Sequence, residues 1–190
     1  MVEGTGFENR HTRKGIESSN LSLSARYNLL KMKNTTHIFL VKKSGDKIIE
    51  ICLAMKKRGF GVGRWNAVGG KVMEGESIEE GALREAREEI FVTAKNIKKV
   101  AEHSFTFPHK PDWNQVVHTF IATEWEGEPI ESEEMNPKWF DVSDIPYTEM
   151  WPDDIFWLPL VVEGKLLKTR FVFGENDVLS EKQVDIVDLL

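Results

Sequence analysis

Three glutamates, Glu85, Glu88 and Glu89, stand at i, i+3 and i+4 in a stretch whose apolar residues recur with helical period. At about 100° per residue, their side chains fall within roughly a 100° arc of one helix face. Like charges so placed destabilise a helix by roughly 0.2–0.5 kcal/mol per pair, so the cluster calls for a counterion. A hard divalent cation with oxygen ligands would serve, and Mg²⁺ shared with substrate phosphates is the expected one. The plainer alternative is a solvated acidic face softened by Arg84 and Arg87. Gly69 and Gly70 lead by a short loop into this stretch and would let backbone groups approach a metal or phosphate closely. Arg84, beside Glu85 and four residues before Glu88, is placed to orient a carboxylate by charge-assisted hydrogen bonds.

The elements that must position these groups can be read from period and punctuation. Ser77 and Glu80 form a capping-box pattern, so a helix is expected over Ser77–Phe91. Within it Ile78, Ala82, Ala86 and Ile90 make the buried stripe. Strand-like runs at His37–Lys43 and Lys47–Met55 flank a turn at Ser44-Gly45-Asp46. Val100–Phe107 and Val116–Thr123 form a second pair, joined by a loop containing Pro108, Pro111 and Trp113. Lys138–Val142 and Leu166–Phe173 are further strands. A second helix runs from Asp153 or Asp154 towards Val162, limited or kinked by Pro159. The pattern is α+β: a mixed sheet with helices packed on it, forming one domain over residues 35–190. Residues 1–34 lack sustained apolar periodicity and read as a flexible leader with a short helical turn near Ser24–Lys33.

Composition narrows the class. With 190 residues, 41% hydrophobic and 29% charged, the chain is neither disordered nor fibrous. No apolar run approaches the roughly 18–20 residues that span a bilayer. The single cysteine, Cys52, excludes an internal disulfide and an all-cysteine metal site, which suits a reducing compartment. A net charge of −6 argues against stable nucleic-acid binding. Residues 1–36 hold six basic and three acidic side chains, so the acidity lies in the remainder. Phosphate handled on such a body needs a recruited cation. The leader lacks a secretory apolar core, and its glutamates argue against a mitochondrial presequence. A cytoplasmic monomer is the expectation, with the leader diagnostic of no organelle.

Gly70, five residues, Glu76, seven residues, then Arg84-Glu85-Ala86-Arg87-Glu88-Glu89 resembles the Nudix box. That box is the loop–helix–loop signature of hydrolases acting on nucleoside-diphosphate-linked compounds. The family pattern continues with one residue, a glycine and an aliphatic residue. Here Ile90, Phe91 and Val92 follow, so Phe91 replaces the glycine at the helix exit. The resemblance implies an α/β/α sandwich with a mixed sheet. It also implies Mg²⁺ held by Glu85, Glu88, Glu89, the Gly69 carbonyl and Glu134, with Glu133 leaving the last assignment open by one residue. Glu89 or Glu88 would take the proton from water, with Glu134 a further candidate, because ligand and base both require an ionised carboxylate near the metal.

Lys56–Asn66, Glu133-Glu134-Met135 and Trp151-Pro152-Asp153-Asp154 resemble, in order, the animal-type MutT homologues within that family. The likeness spans residues 36–175. It implies hydrolysis of oxidised purine nucleoside triphosphates, such as 8-oxo-dGTP and 2-hydroxy-dATP, to the monophosphate and pyrophosphate. Trp151 would offer a flat face for the purine, worth roughly 1–3 kcal/mol per base in single-strand systems. Asn66 would present one acceptor and two donors to the base edge. In an apolar pocket, the like charges of Asp153 and Asp154 would raise one carboxyl enough to keep its proton and donate. Either member holding that proton would match more than one oxidised base.

The same turn also reads as an aspartate-capped helix start beside a core tryptophan, and the two readings are compatible. Phe60, Met135, Pro152 and Trp157 would border the pocket, and His37 (or Thr36) and Lys56 would reach the base or its rim. Val68, Gly69, Gly70 and Lys71 would complete the substrate contacts from the glycine loop. His103, His109 and His118 lack metal-ligand spacing and read as structural or surface residues. Two alternatives remain. A Nudix hydrolase of another nucleotide or nucleotide sugar would keep the helix and change the pocket. A non-catalytic nucleotide-binding module would be expected to have lost box carboxylates, all of which are present.

Overall fold

Strand β1 (Lys33–Ser44) lies inside the sheet and alternates its side chains between two cores. Phe39 and Val41 face one, Ile38 and Leu40 the other. A computed structural model describes residues 32–190. Nearly all of the expected leader, with the turn near Ser24–Lys33, lies outside the described residues. Its last residues, Lys33 and Asn34, open β1 instead, so the strand starts earlier than the apolar run from His37 suggests.

β2 (Lys47–Lys56) returns antiparallel from the Gly45-Asp46 turn, and β3 (Trp65–Asn66) pairs with its far half. Helix α1 (Ile78–Ile90) follows, then β4 (Thr93–Thr106) and β5 (Gln115–Glu126), an antiparallel pair. β6 (Met135–Asp141) pairs antiparallel with the outer side of β2. As an edge strand it tolerates Pro137, which also explains why the sequence pattern is clear only from Lys138. Helix α2 (Asp154–Val162), β7 (Leu166–Phe173) and β8 (Leu179–Val187) complete the chain. The order β3-β2-β1-β5-β4-β7-β8 contains parallel pairs β1–β5 and β4–β7, so the sheet is mixed.

Helices α1 and α2 cover opposite faces, as an α/β/α sandwich requires. Ala82, Ala86 and Ile90 of α1 pack with Ile38, Leu40, Ala54 and Phe120. Trp157, Leu158 and Val161 of α2 pack with Phe39, Val41 and Phe171. The small residues on α1 let its backbone approach the sheet, which brings the acidic face of the same helix to the edge of β1. The expected capping box is present: Ser77 Oγ accepts the Glu80 N–H at 3.2 Å, and the Glu80 carboxylate accepts the Ser77 N–H at 2.7 Å.

α1 ends through Phe91, which adopts the left-handed conformation (φ 60, ψ 29) and donates its N–H to Arg87 C=O at 3.2 Å. Val92, fully buried, donates to Ala86 C=O at 3.3 Å and fixes the exit. A non-glycine residue pays about 1–2 kcal/mol for that conformation, and the Phe91 side chain is 53% exposed. Phe91→Gly is therefore expected to stabilise the fold by about 0.5–1 kcal/mol after the added chain entropy of glycine is subtracted. Thermal unfolding should show a rise of about 2 °C; an unchanged or lower midpoint would mean that the ring's packing outweighs the strain.

Candidate active site

The Gly69-Gly70 loop is laced to the free edge of β1. The N–H groups of Ile38 and Thr36 donate to the carbonyls of Val68 (2.7 Å) and Gly70 (2.8 Å). The intervening Gly69 carbonyl is thereby turned away from the strand. Gly69 has φ 155, and a Cβ there would overlap the Thr36 carbonyl oxygen. A Cβ on Gly70 would overlap the Glu85 carboxylate. The close approach these glycines permit is thus to β1 on one side and to the acidic helix on the other.

Glu89 is 5% exposed, and both its oxygens are held: the Gly69 N–H donates to one at 2.9 Å and the Lys56 ammonium to the other at 2.9 Å. Lys56 Nζ also reaches Glu134 at 3.3 Å. Lys56, expected at the base or its rim, therefore serves the acidic end. Glu134 lines the cavity and is further held by Arg58 Nη2 at 2.6 Å, whereas Glu133 is almost fully exposed. All of Arg84's donor directions are used. Nη1 donates to Glu85 (2.8 Å) and Glu88 (3.0 Å), Nε and Nη2 to the two oxygens of Glu76 (3.0 and 2.7 Å), and Nη2 also to Lys71 C=O (3.0 Å). Glu76 is braced in turn by the Met73 N–H at 2.7 Å and is pulled down to about 2 by Arg84.

Burial raises the proton affinity of Glu85 and Glu89, against the pull of Arg84 on the first and of the Gly69 N–H and Lys56 on the second. Arg58 holds Glu134 below the usual carboxylate range. Among the described residues no three ligating side chains converge as a closed metal cluster. The donor chemistry nevertheless fits a hard divalent cation, since every candidate ligand is a carboxylate or carbonyl oxygen. Two pairs of these carboxylates, Glu89 with Glu134 and Glu85 with Glu88, are each already drawn onto one basic nitrogen.

From this acidic end a single cavity of about 1190 Å³ runs to the turn before α2, where Trp151, Asp153 and Asp154 line it. Trp151 N–H donates to Asp154 Oδ2 at 3.0 Å, and Trp157 Nε1–H donates to Asp153 Oδ2 at 3.1 Å. Neither aspartate caps α2: Asp153 occupies the cap position without a side-chain bond to the helix, so the capping expectation for this turn fails. Burial pushes Asp153 up to about 7; burial and the neighbouring Asp153 charge raise Asp154 well above the carboxylate range. Asn66 Oδ1 accepts the Ala67 N–H at 2.8 Å, which leaves its amide NH₂ to face the cavity as a donor. His37 lines the cavity too, with its pKa lowered to about 4 by burial and by Lys56, so it is neutral. The Nδ1 of His37 and the Oγ1 of Thr36 are buried without a hydrogen-bond partner among the described residues.

Phe60, Met135, Gly69, Gly70 and Lys71 also line the cavity. Three expected contacts do not. Val68 faces the α1 core and contributes its carbonyl to β1, because strand alternation turns its side chain away. Trp157 is buried in the other core and acts through its bond to Asp153. Pro152 is exposed on the outer side of the turn. The sequence reading missed Phe107, Trp113 and Phe173, which wall the aromatic end. Phe60 stacks on Trp151 (centroids 4.9 Å, planes 25° apart) and meets Trp113 edge-on at 4.7 Å. The proline-rich loop carrying Trp113 was legible only as a connection; its packing against Phe60 is a tertiary contact. Glu76 and Arg58 were missed as anchors of Arg84 and Glu134, although both lie in the quoted motifs.

Comparison with known proteins identifies the family and the fold. The family model described as the NUDIX domain matches residues 30–161. The chain is 45% identical over 138 residues to the oxidized purine nucleoside triphosphate hydrolase of Danio rerio, covering 73% of this chain and 88% of that protein. The protein of the same name from Mus musculus matches with the same identity and coverage. Among solved structures, a mutator MutT protein from Bacillus halodurans superposes with a TM-score of 0.70 at 28% identity, over 81% of this chain and 98% of that one.

Proposed function

This chain belongs to the Nudix family, and from that premise we propose that it hydrolyses oxidised purine nucleoside triphosphates to the monophosphate and pyrophosphate. The observation that carries the reading is the continuity of one cavity from the box carboxylates to the tryptophan–aspartate turn. A nucleotide bound along it has its phosphates beside Glu85, Glu88 and Glu89 and its base between Trp151, Asn66 and the aspartate pair. The domain that performs this reaction runs from β1 to β8 and acts as a monomer. Among the described residues no helix is long and apolar enough to cross a membrane.

Nudix hydrolases use divalent metal ions, and the all-oxygen donor set favours Mg²⁺ here. When bound, the ion neutralises charge developing on the phosphates and lowers the pKa of coordinated water. Glu85, Glu88, Glu89, Glu134 and the Gly69 carbonyl are the residues that would hold it. Arg84 keeps Glu85 and Glu88 turned to the cavity. Glu89 takes the proton from the attacking water: its raised proton affinity suits a base, and the Gly69 N–H fixes its orientation. At the other end the Asn66 amide donates to the base edge. A protonated Asp154 beside a titrating Asp153 offers that edge one donor and one acceptor.

A substrate panel tests the assignment: 8-oxo-dGTP, 2-hydroxy-dATP, a methylated dATP, dGTP and ADP-ribose, each with Mg²⁺ and with a chelator. The oxidised purines should have the highest kcat/KM, with dGTP about tenfold or more behind and turnover lost on chelation. Preference for ADP-ribose would reject the pocket assignment, and turnover indifferent to chelation would reject the metal.

A further inference from the structure

Arg64 belongs to the Lys56–Asn66 motif, yet neither the metal chemistry nor base-edge pairing uses it. Its guanidinium carbon lies 4.0 Å from the centre of a Trp151 ring. Its Nη2 is 3.2 Å from Asp177 Oδ2, and its Nη1 is buried without a partner among the described residues. Its backbone is fixed too: the Lys56 N–H donates to Arg64 C=O at 3.0 Å, and the Arg64 N–H donates to Gly61 C=O at 3.2 Å. The cation is therefore clamped against the indole from two directions.

The clamp's far jaw is unusual backbone. Asn176 and Asp177 are consecutive non-glycine residues with left-handed φ values of 56 and 58. The turn is closed by the Gly174 N–H to Val178 C=O (2.8 Å) and the Val178 N–H to Glu175 C=O (3.3 Å). Such conformations persist only where the surroundings enforce them, even for Asn and Asp, which tolerate them best. This turn begins β8, beyond the 30–161 family match, and a second tail residue grips the same segment. Lys182 Nζ stands 3.2 Å above the Phe156 ring, on the helix turn next to Trp157. Both tail contacts thus bear on the short stretch that carries Trp151, Asp153 and Asp154.

We propose that Arg64, anchored by Asp177, is a positioning residue for base recognition: its guanidinium fixes the plane of Trp151 against which the purine packs. The inference rests on the base-slot reading above and assigns the tail beyond the family match a part in specificity. A cation over an indole is worth enough, when partly desolvated, to set a ring orientation that would otherwise be lost on binding. Asp177 acts only through Arg64, since it pairs with the guanidinium on the outer side of the turn.

A double-mutant cycle tests this with Arg64→Met, Asp177→Asn and the pair, each beside a Trp151→Phe derivative. Subtracting the emission of the derivative isolates Trp151 from the other five of the six tryptophans. Arg64→Met should change that difference spectrum and raise KM for 8-oxo-dGTP about fivefold, with kcat altered less than about twofold. Asp177→Asn should do the same in smaller measure, and the double variant should match Arg64→Met alone. Arg64→Lys, which keeps charge but loses the flat fork, should recover only part of the affinity. Additive effects, an unmoved Trp151 spectrum, or a loss confined to thermal stability would overturn the proposal. The fluorescence cycle needs no substrate, so its failure is separate from failure of the wild-type chain on the substrate panel.

Discussion

Glu89→Gln should lower turnover by roughly a thousandfold while leaving the fold intact. The residue is nearly isosteric, so the amide oxygen can still accept the Gly69 N–H, and helix α1 keeps its contacts. What disappears is a group able to carry the water's proton. Stability gives an independent check on sign. Burial raises the folded pKa of Glu89, so the native state holds its proton more tightly than the unfolded chain. Protons bound in excess by the native state make stability fall as pH rises from the ordinary carboxylate value through the folded one. Glutamine removes that slope, so at neutral pH the variant should melt no lower than the wild type. Lys56 keeps Glu134 as a partner. Affinity for the product monophosphate should barely change, because the base is gripped at the other end of the cavity. A variant retaining more than about a tenth of the turnover would reassign the base to Glu88 or Glu134.

The acidic end was legible because its determinants are local. The capping box, the four-residue apolar stripe and the carboxylate spacing all lie on one helix, and helical periodicity converts sequence distance directly into a face. The Gly70 requirement was equally local in cause: a Cβ there would meet the Glu85 carboxylate of the adjoining helix. Lys56 was misplaced for the opposite reason. It sits at the end of β2, and only the pairing of β2 with β6 brings it between Glu89 and Glu134. The same limit explains β8. Its run of Ser180, Glu181, Lys182, Gln183 and Asp185 has no apolar alternation, since an edge strand buries little, and pairing with β7 alone makes it a strand. Trp157 and Val68 show a subtler failure. Both belong to motifs that surround the cavity, but one acts through an indole N–H and the other through a carbonyl. Motif membership does not say which atom does the work.

Asp153→Asn and Asp154→Asn should separate the two members of the pair by pH, and differently for different bases. Asp153 is pushed up to about 7 by burial, against the opposing influences of the Trp157 N–H and the Arg64 charge. Asp154 is raised well above the ordinary carboxylate range, by burial and then by the Asp153 charge, which favours its protonated form. A base edge that offers an N–H to Asp153 needs the carboxylate, so its KM should fall as pH rises through about 7. An edge that offers an acceptor needs the acid, so its KM should rise over the same interval. Asp153→Asn removes the titrating group and should flatten both profiles near neutrality, at a cost of about tenfold to the substrate that used the carboxylate. Asp154→Asn keeps a donor where the acid stood and should cost several-fold at most, with the Asp153 transition left in place, since burial rather than a charge on Asp154 raises it.

The linked stability effect has one sign for both residues. Raised carboxyls make the native state bind excess protons, so thermal stability falls as pH climbs from about 4 to 7. Each asparagine should shrink that fall. The comparison needs 8-oxo-dGTP and 2-hydroxy-dATP assayed across that range with both variants. If the two substrates gave superimposable profiles in the wild type, or if Asp153→Asn left them unchanged, proton placement in the pair would not be the source of broad base recognition.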